Sequence, residues 1–247
     1  MKRKLALAAA TALLFLIFLV TLLPASVALG WFSSPGVGFS GVSGTLWSGS
    51  VAQMSAGGIA LGRLQWSNGS LAGLLGRPAW DIELNRPDGF VRGRVAIRSG
   101  STLYLDDMDA VSSLNSLGRL LPLYGTTGGV TARIDRLGVE DGQIVLIKGR
   151  VVIDKIKTNA LKSGDLGSIE MIFPGHDSAP RTGQVTAMDG PLQLRDGQIR
   201  IGPDGSYEID GRVSPTPDAS SEIVDAMQFL GSPDNEGFRQ FSQAGAL

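Results

Sequence analysis

The 247-residue sequence contains no cysteine, a single histidine and few aromatic residues, and its charges nearly cancel. Without cysteine the chain forms no disulfide bonds, and one histidine is too few for zinc or another nitrogen- or sulfur-ligated metal. Aromatic residues make up 6% of the chain while glycine occurs 34 times, a balance typical of many strands joined by tight turns. The net charge of −1 argues against nucleic-acid binding, which normally requires a basic surface.

The N-terminus combines three cationic residues with a long apolar run. Lys2, Arg3 and Lys4 precede the uncharged residues 5–23, and the next charged residue is Arg63. Because about 20 apolar residues cross a bilayer, residues 1–32 are predicted to be a cytoplasmic tip and a transmembrane helix. The positive-inside rule then places the N-terminus in the cytoplasm and the rest of the chain outside it. Residues 33–43 are predicted to be a Gly/Ser-rich spacer, and residues 44–247 an exported β-sheet domain.

A cleaved signal peptide is the alternative interpretation of the same N-terminal segment. Ser26 and Ala28 have the small side chains that a cleavage site requires at positions −3 and −1. The apolar run is longer than the 7–15 residues usual in a signal peptide, which favours an uncleaved anchor. Both interpretations export the same domain.

Repeated Asp-Gly pairs predict an antiparallel meander, since this pair favours the type I′ turn of a two-residue hairpin. The pairs begin at Asp88, Asp141, Asp189, Asp196 and Asp204. Apolar and polar residues alternate in the flanking segments, as in 130–135 and 192–210, which predicts a sheet with one dry and one wet face. The fold class is therefore mainly β, with an antiparallel, curled sheet.

Two short helices are expected to cover the dry face of this sheet. Residues 109–121 and 218–230 carry apolar side chains at helical spacing, and Thr216 and Pro217 suit the start of the second helix. Residues 237–243 are predicted to form a last edge strand. The tetrapeptide Asp-Gly-Gln-Ile occurs at Asp141 and again at Asp196, which suggests two similar halves, about 44–160 and 161–247.

No group of residues predicts catalysis, cofactor binding or metal binding. His176 is the sole candidate for a general base, and its polar surroundings favour an ordinary surface loop. Asp106, Asp107 and Asp109 lack the rest of a calcium loop and are interpreted as a solvated turn between a strand and a helix. The Gly-x-Gly-x-x-Gly pattern that begins at Gly36 follows no strand and is interpreted as spacer.

Three tryptophans, Trp47, Trp66 and Trp80, fall in predicted strands. Packing in the core or across strands is the simpler interpretation of these side chains. An exposed aromatic groove for a lipid or a peptide strand is the alternative, and the sequence does not separate the two.

The order of several motifs after the apolar segment resembles the type II secretion system protein N family. The matching segments are Gly41-Val-Ser-Gly-Thr-Leu-Trp-Ser-Gly-Ser50, Leu64-Gln-Trp66, Gly76-Arg-Pro-Ala-Trp-Asp-Ile-Glu-Leu84, Gly89-Phe-Val-Arg-Gly-Arg94, Gly190-Pro-Leu-Gln-Leu194, Gly205-Ser-Tyr-Glu-Ile-Asp-Gly211 and Phe229-Leu-Gly-Ser-Pro-Asp234. The similarity covers nearly the whole chain and is weakest at residues 163–183.

The resemblance implies a non-enzymatic accessory subunit in the inner membrane of a Gram-negative bacterium, with the bulk of the chain in the periplasm. Its partners would be other subunits of the secretion machine, which exports folded periplasmic proteins across the outer membrane, and the lipid bilayer. No cofactor and no small-molecule substrate are implied. The alternative is an anchored periplasmic module for lipid binding or transfer, with the dry face of the sheet as its groove. A periplasmic hydrolase, the third hypothesis, would need a pocket around His176.

Overall fold

The computed structural model describes residues 2–31, 36–68, 78–97, 102–117, 125–159, 161, 164–176 and 181–246. The chain divides into two compact units, Met1–Pro87 and Asp88–Leu247, whereas the sequence suggested two halves that meet near residue 160. Each unit is an antiparallel meander in which strands pair with their neighbours in chain order. The structure therefore confirms a mainly β fold with few helices.

Unit 1, Met1–Pro87, contains two helices followed by four strands. The elements are α1 (Lys2–Thr21), α2 (Ala25–Trp31), β1 (Val37–Gly44), β2 (Ser48–Ala56), β3 (Ile59–Ser67) and β4 (Ala79–Arg86). Val51 in β2 is fully buried, and Ala25 and Ala28 of α2 are also buried. The second helix is thus part of the packed interior of this unit.

The N-terminal transmembrane helix expected over residues 1–32 is not found. Among the described residues, no helix combines the length and the apolar character that a membrane crossing requires. The helix α1 ends at Thr21, and α2 begins only after Pro24, whose ring and missing N–H group interrupt helical hydrogen bonding. Ala25 and Ala28, one turn apart on α2, are buried in unit 1, whereas Val27 between them is 44% exposed.

The glycine-rich segment that begins at Gly36 was predicted to be spacer, and this prediction is wrong for its described part. The strand β1 starts at Val37 and pairs with β2 from Val37↔Ala56 to Gly44↔Gly49. Small residues at these positions suit close strand pairing, so glycine content here reflects packing within a sheet. Residues 33–35 of the predicted spacer lie outside the described residues.

Unit 2, Asp88–Leu247, contains nine strands and three short helical segments among its described residues. The strands are β5 (Gly89–Ile97), β6 (Leu103–Ser113), β7 (Thr126–Glu140), β8 (Gln143–Thr158), β9 (Asp165–Phe173), β10 (Thr182–Asp189), β11 (Leu192–Ile201), β12 (Ser206–Pro215) and β13 (Arg239–Ala246). The helical segments are α3 (Leu114–Leu117), α4 (Ser221–Ala226) and a 3-10 helix, Met227–Leu230. The predicted edge strand at 237–243 is confirmed as β13.

The Asp-Gly pairs form turns at most positions and a bulge at one. Asp141 and Gly142 join β7 to β8 with φ values of 50° and 79°, the positive angles that a type I′ turn needs at both centres. Asp196, by contrast, lies inside β11 with a φ of 52°, and the pairing with β12 shifts there. The extra residue is a β-bulge, which explains why the apolar positions change from even to odd numbers between Leu194 and Ile199.

The first predicted helix, 109–121, is wrong over its N-terminal part, and residues 118–121 lie outside the described residues. Residues up to Ser113 belong to β6, and α3 covers only Leu114–Leu117. The apolar positions of this segment fit a helix as well as a strand. Pairing on both sides decides for the strand, since residues 109–111 pair with β5 and residues 109–113 pair with β7, which satisfies their backbone groups without a helix.

The second covering helix is confirmed, but it begins later than predicted. Thr216 and Pro217 precede the helix, and the Ala219 N–H donates to the Thr216 carbonyl (3.0 Å) in a turn. The helix α4 follows at Ser221, with Ser220 at its N-cap position. Ile223 and Met227 are buried against Val213 of β12, so the helix covers the C-terminal strands.

The sheet of unit 2 curls around its own core, as the dry face predicted. Ile147, Phe173, Val185, Ile199 and Ile201 come from four consecutive strands and form one buried cluster. The Ile144 N–H at the start of β8 donates to the carbonyl of Pro203, in the turn between β11 and β12 (3.0 Å). These segments are separated by β9 and β10 in the sheet order, so the bond requires a curled sheet.

Candidate functional site

The exposed edge of β13 is the clearest interaction surface in unit 2. Within the described chain β13 pairs only with β12, from Ser206↔Ala246 to Val213↔Arg239, so its other edge carries unpaired backbone groups. The adjoining 3-10 helix leaves Phe229 94% exposed and Leu230 41% exposed. Such a strand next to exposed apolar side chains can pair with a strand of another protein. We call β13 with Phe229 and Leu230 the C-terminal edge surface.

A cluster of charges fixes the segment that leads into this surface. Arg212 forms ion pairs with Asp196 (2.6 Å), Asp234 (3.1 Å) and Glu236 (3.3 Å). Hydrogen bonds to Asp196 and then to Asp234 raise the pKa of Arg212, and the negative charge of Glu236 adds to the effect. No local pattern in the sequence indicates this cluster, because the bulge at Asp196 and the loop at 234–236 come together only in the folded chain.

The side chain of Asp234 also orders the segment that leads into β13, residues 234–238. Its side chain accepts hydrogen bonds from the N–H groups of Glu236 (2.8 Å) and Phe238 (2.9 Å), and the bond from Phe238 is the main reason why the pKa of Asp234 is lowered. The Phe238 ring is buried, with the Arg195 guanidinium 4.4 Å from its centre. The chain therefore enters β13 in one fixed conformation.

A second constellation joins α1 to the sheet of unit 1, and we call it the tryptophan junction: Trp47, Trp66, Trp80 and the backbone of residues 45–46. The indole N–H groups of Trp66 (3.1 Å) and Trp80 (3.0 Å) both donate to the carbonyl of Leu46. The indole N–H of Trp47 donates to the Val20 carbonyl near the end of α1 (2.9 Å). Trp47 and Trp80 stack with their ring centres 6.3 Å apart.

The junction decides between the two interpretations of the tryptophans. All three rings are partly buried and hydrogen-bonded, so they pack within unit 1 as the simpler interpretation expected. Trp66 and Trp80 lie in β3 and β4, but Trp47 lies in the turn between β1 and β2, where a strand was predicted. The junction fixes the end of α1 through two hydrogen bonds. The Trp47 indole N–H donates to the Val20 carbonyl, and the Leu46 N–H donates to the Leu23 carbonyl (2.9 Å).

The acidic cluster on β6 is part of a cross-strand ion network. Asp107 has a φ of 52° at a bulge within β6, so the predicted solvated turn before a helix is wrong. Asp106 pairs with Arg136 (2.8 Å), and Asp109 pairs with Arg133 (3.1 Å) and Arg92 (3.2 Å). Hydrogen bonds from Arg133 and then from Arg92 lower the pKa of Asp109.

His176 and the acidic residues are not gathered into a reactive site in the described part of the chain. His176 is exposed just after β9, and Asp177 and Ser178 of its loop lie outside the described residues. Within the described residues, no three His, Cys, Asp or Glu side chains are placed to hold a metal ion. The dry face of unit 2 is filled by the cluster around Phe173, which favours a packed core over a lipid groove there.

Comparison with known proteins points to a single family. The family described as type II secretion system (T2SS), protein N, matches residues 35–242. The type II secretion system protein N of Vibrio cholerae serotype O1 is 26% identical, over 91% of this chain and 91% of its own length. The protein of the same name from Aeromonas hydrophila is also 26% identical, over 96% of each chain. No solved structure matches the chain.

Proposed function

Because the chain belongs to the type II secretion system protein N family, we propose that it is a non-enzymatic accessory subunit of this secretion machine, held at the inner membrane with its sheet in the periplasm. In this role it supports the export of folded periplasmic proteins across the outer membrane. It acts by contact with other secretion subunits, and the observation that carries this proposal is the C-terminal edge surface.

The N-terminal segment supports attachment to the inner membrane. Large apolar side chains of α1 are exposed, among them Leu14, Phe15 and Phe18, and a contiguous apolar surface of this kind is typical of contact with lipid or protein. Lys2, Arg3 and Lys4 at its start suit contact with anionic lipid headgroups at the membrane surface. The tryptophan junction connects α1 to the sheet of unit 1, since it fixes the end of α1 to β3 and β4. Attachment of α1 to the membrane therefore also holds this sheet near the membrane.

The C-terminal edge surface supports strand addition as the mode of contact. Phe229 is 94% exposed and its neighbour Leu230 is 41% exposed, so a partner that covers both side chains would remove apolar surface from water. The edge of β13 beside it offers backbone N–H and C=O groups in the register of a further strand. A partner strand would satisfy these groups and cover Phe229 at the same time.

The proposal is tested by secretion of type II substrates in cells that lack the chain, complemented with variants. Wild type and Gln228→Ser should restore secretion, whereas Phe229→Ser should restore it poorly, because only Phe229 belongs to the contact surface. A photoreactive amino acid at Gln243 of β13 should capture a secretion subunit identified by mass spectrometry. Normal secretion without the chain, together with capture of phospholipid alone, would refute the proposal.

A further inference from the structure

A groove of about 600 Å³ crosses strands β5 to β9 of unit 2. It lies on the face opposite the core, because its residues Lys148, Arg150 and Val152 alternate along β8 with the core-facing Ile147 and Val151. Alternation in the sequence predicts that this face is the wet side of the sheet. A wet face is expected to be polar throughout, but this groove has an apolar row and a charged row.

The two rows run in parallel across the strands. The register aligns Phe90, Val111, Thr131 and Val152 in one row, which is mainly apolar and includes Val111, 37% exposed. The same register aligns Arg92, Asp109, Arg133 and Arg150 in the other row. In β9 the character of the rows is reversed, because Glu170 lies opposite Val152 and Ile172 lies opposite Arg150. The rows are two residues apart along each strand, which is about 7 Å.

The charged row and its neighbours carry an excess of positive charge. Four cationic side chains line the groove, against the carboxylates of Asp109 and Asp135 in the lining and of Glu170 beside it. Asp109 is shared by Arg92 and Arg133, so each of these arginines keeps N–H groups for a further anion. In the whole sequence, by comparison, acidic residues outnumber Lys and Arg by one.

Arg133 and Arg150 face each other directly across β7 and β8. Like charges in this arrangement destabilise a sheet. Each arginine has an ion pair on its outer side, to Asp109 and to Glu170 (3.0 Å), and their side chains remain 77% and 62% exposed. A carboxylate bound between the two guanidinium groups would remove the repulsion.

We propose that this groove binds an acidic segment of a partner protein, with carboxylates on the arginine row and apolar side chains on the row of Phe90, Val111 and Val152. The proposal rests on the proposed function, since the expected partner is another secretion subunit. Five strands spaced about 4.8 Å apart give a groove roughly 19 Å long, which suits about six residues of extended peptide. A lipid carries its charge in the headgroup, at one end of the molecule. The cations of this groove are instead spread over several strands, β5, β7 and β8.

The experiment places a photoreactive amino acid at Thr131, in the middle of the apolar row, in the full-length chain in secreting cells. A control position is Gln193, exposed on β11 outside the groove. The test variant combines Arg133→Glu with Arg150→Glu. The matched control is Arg200→Glu, because Arg200 is also an exposed strand arginine paired with carboxylates of a neighbouring strand, Glu208 and Asp210.

The expected result is capture of an Asp- or Glu-containing peptide of a secretion subunit from Thr131 and not from Gln193. The double reversal should lower the yield about tenfold, because like charges at an interface are strongly unfavourable. Arg200→Glu should leave the yield unchanged, and Lys substitutions of the captured acidic residues should restore it in the double variant. Equal resistance of all variants to proteolysis shows that the fold is intact.

Capture of lipid alone, no capture from Thr131, or a yield that the double reversal does not change would overturn the proposal. These outcomes are distinct from failure of the proposed function. If loss of the chain stops secretion while the groove variants behave as wild type, the groove proposal fails alone. If loss of the chain leaves secretion unchanged while an acidic peptide of another periplasmic protein binds the groove, the secretion role fails alone.

Discussion

The tryptophan junction allows a prediction that depends on a single carbonyl group. The carbonyl oxygen of Leu46 accepts hydrogen bonds from two indole groups, those of Trp66 and Trp80. Replacing either tryptophan by phenylalanine removes one donor and keeps an aromatic ring. The other donor still satisfies Leu46, so Trp80→Phe should lower the free energy of unfolding by only about 1 kcal/mol, the usual value for one hydrogen bond. Trp66→Phe should cost more than Trp80→Phe, because the Trp66 indole N–H also donates to the Thr45 carbonyl (3.2 Å).

The double variant Trp66→Phe/Trp80→Phe leaves the Leu46 carbonyl with neither indole donor. A partly buried acceptor without its donors adds a desolvation cost, so the loss should exceed the sum of the two single effects by about 1 kcal/mol. The matched control is Trp47→Phe combined with Trp66→Phe. Trp47 donates to Val20, a different acceptor, so that pair should be additive within about 0.5 kcal/mol.

The assay is urea unfolding of the full chain in mild detergent, followed by far-UV circular dichroism because the tryptophans themselves change. Equal slopes against urea concentration are required for a comparison of free energies. If the Trp66/Trp80 pair is additive, or if the control pair is coupled as strongly, the shared carbonyl is not the source of the stability. The hydrogen bonds to Leu46 would then not account for a rigid attachment of α1 to the sheet.

Three further predictions concern packing, backbone and pH. Ile223→Ala should lower the free energy of unfolding, measured by thermal unfolding, by about 2–5 kcal/mol because Ile223 is 3% exposed. Val224 is 37% exposed on the same helix, so the control Val224→Ala should change it by less than about 1 kcal/mol. Gly62→Ala should cost about 2 kcal/mol or more in urea unfolding, because Gly62 has a φ of 108° and a Cβ there would collide with the backbone of Asn85 in β4. No effect would contradict the close approach of β4 at this position. Asp109→Asn should be less stable than wild type at pH 7, and the difference should shrink on acidification, since a lowered pKa contributes stability above the ordinary value of 3.8 and loses it as the pH falls through the lowered value. A difference that does not shrink as the pH falls below 3.8 would show that charge is not the cause.

Short-range signals in the sequence predicted much of the fold. The Asp-Gly pair at Asp141 determines a two-residue turn because both residues adopt positive φ, and the alternation around Ile199 determines which face is dry. The same local signals predicted the wrong element where pairing with neighbouring strands determines the conformation. At Asp196 an Asp-Gly pair became a bulge inside β11, and at Asp109 a segment with helical spacing became part of a central strand.

The candidate surfaces were less predictable than the fold. The sequence placed an edge strand near residue 240 and three tryptophans in one region, but it did not show that two indoles share the carbonyl of Leu46. Nor did it show that Arg212 connects a bulge to a loop more than twenty residues later. Contacts of this kind join residues far apart in the chain, and no local pattern records them.

The sequence by itself determined that this protein is a meander of strands in chain order, with an apolar N-terminal segment and the motif order of its family. These properties follow from residue-by-residue alternation, from turn residues and from composition, all of which are local. Only the tertiary structure decided the register, and with it the pairing of Arg133 opposite Arg150 and the division at Pro87–Asp88. Register depends on the bulges and on which side chains the curled sheet buries, and both are properties of many strands packed together.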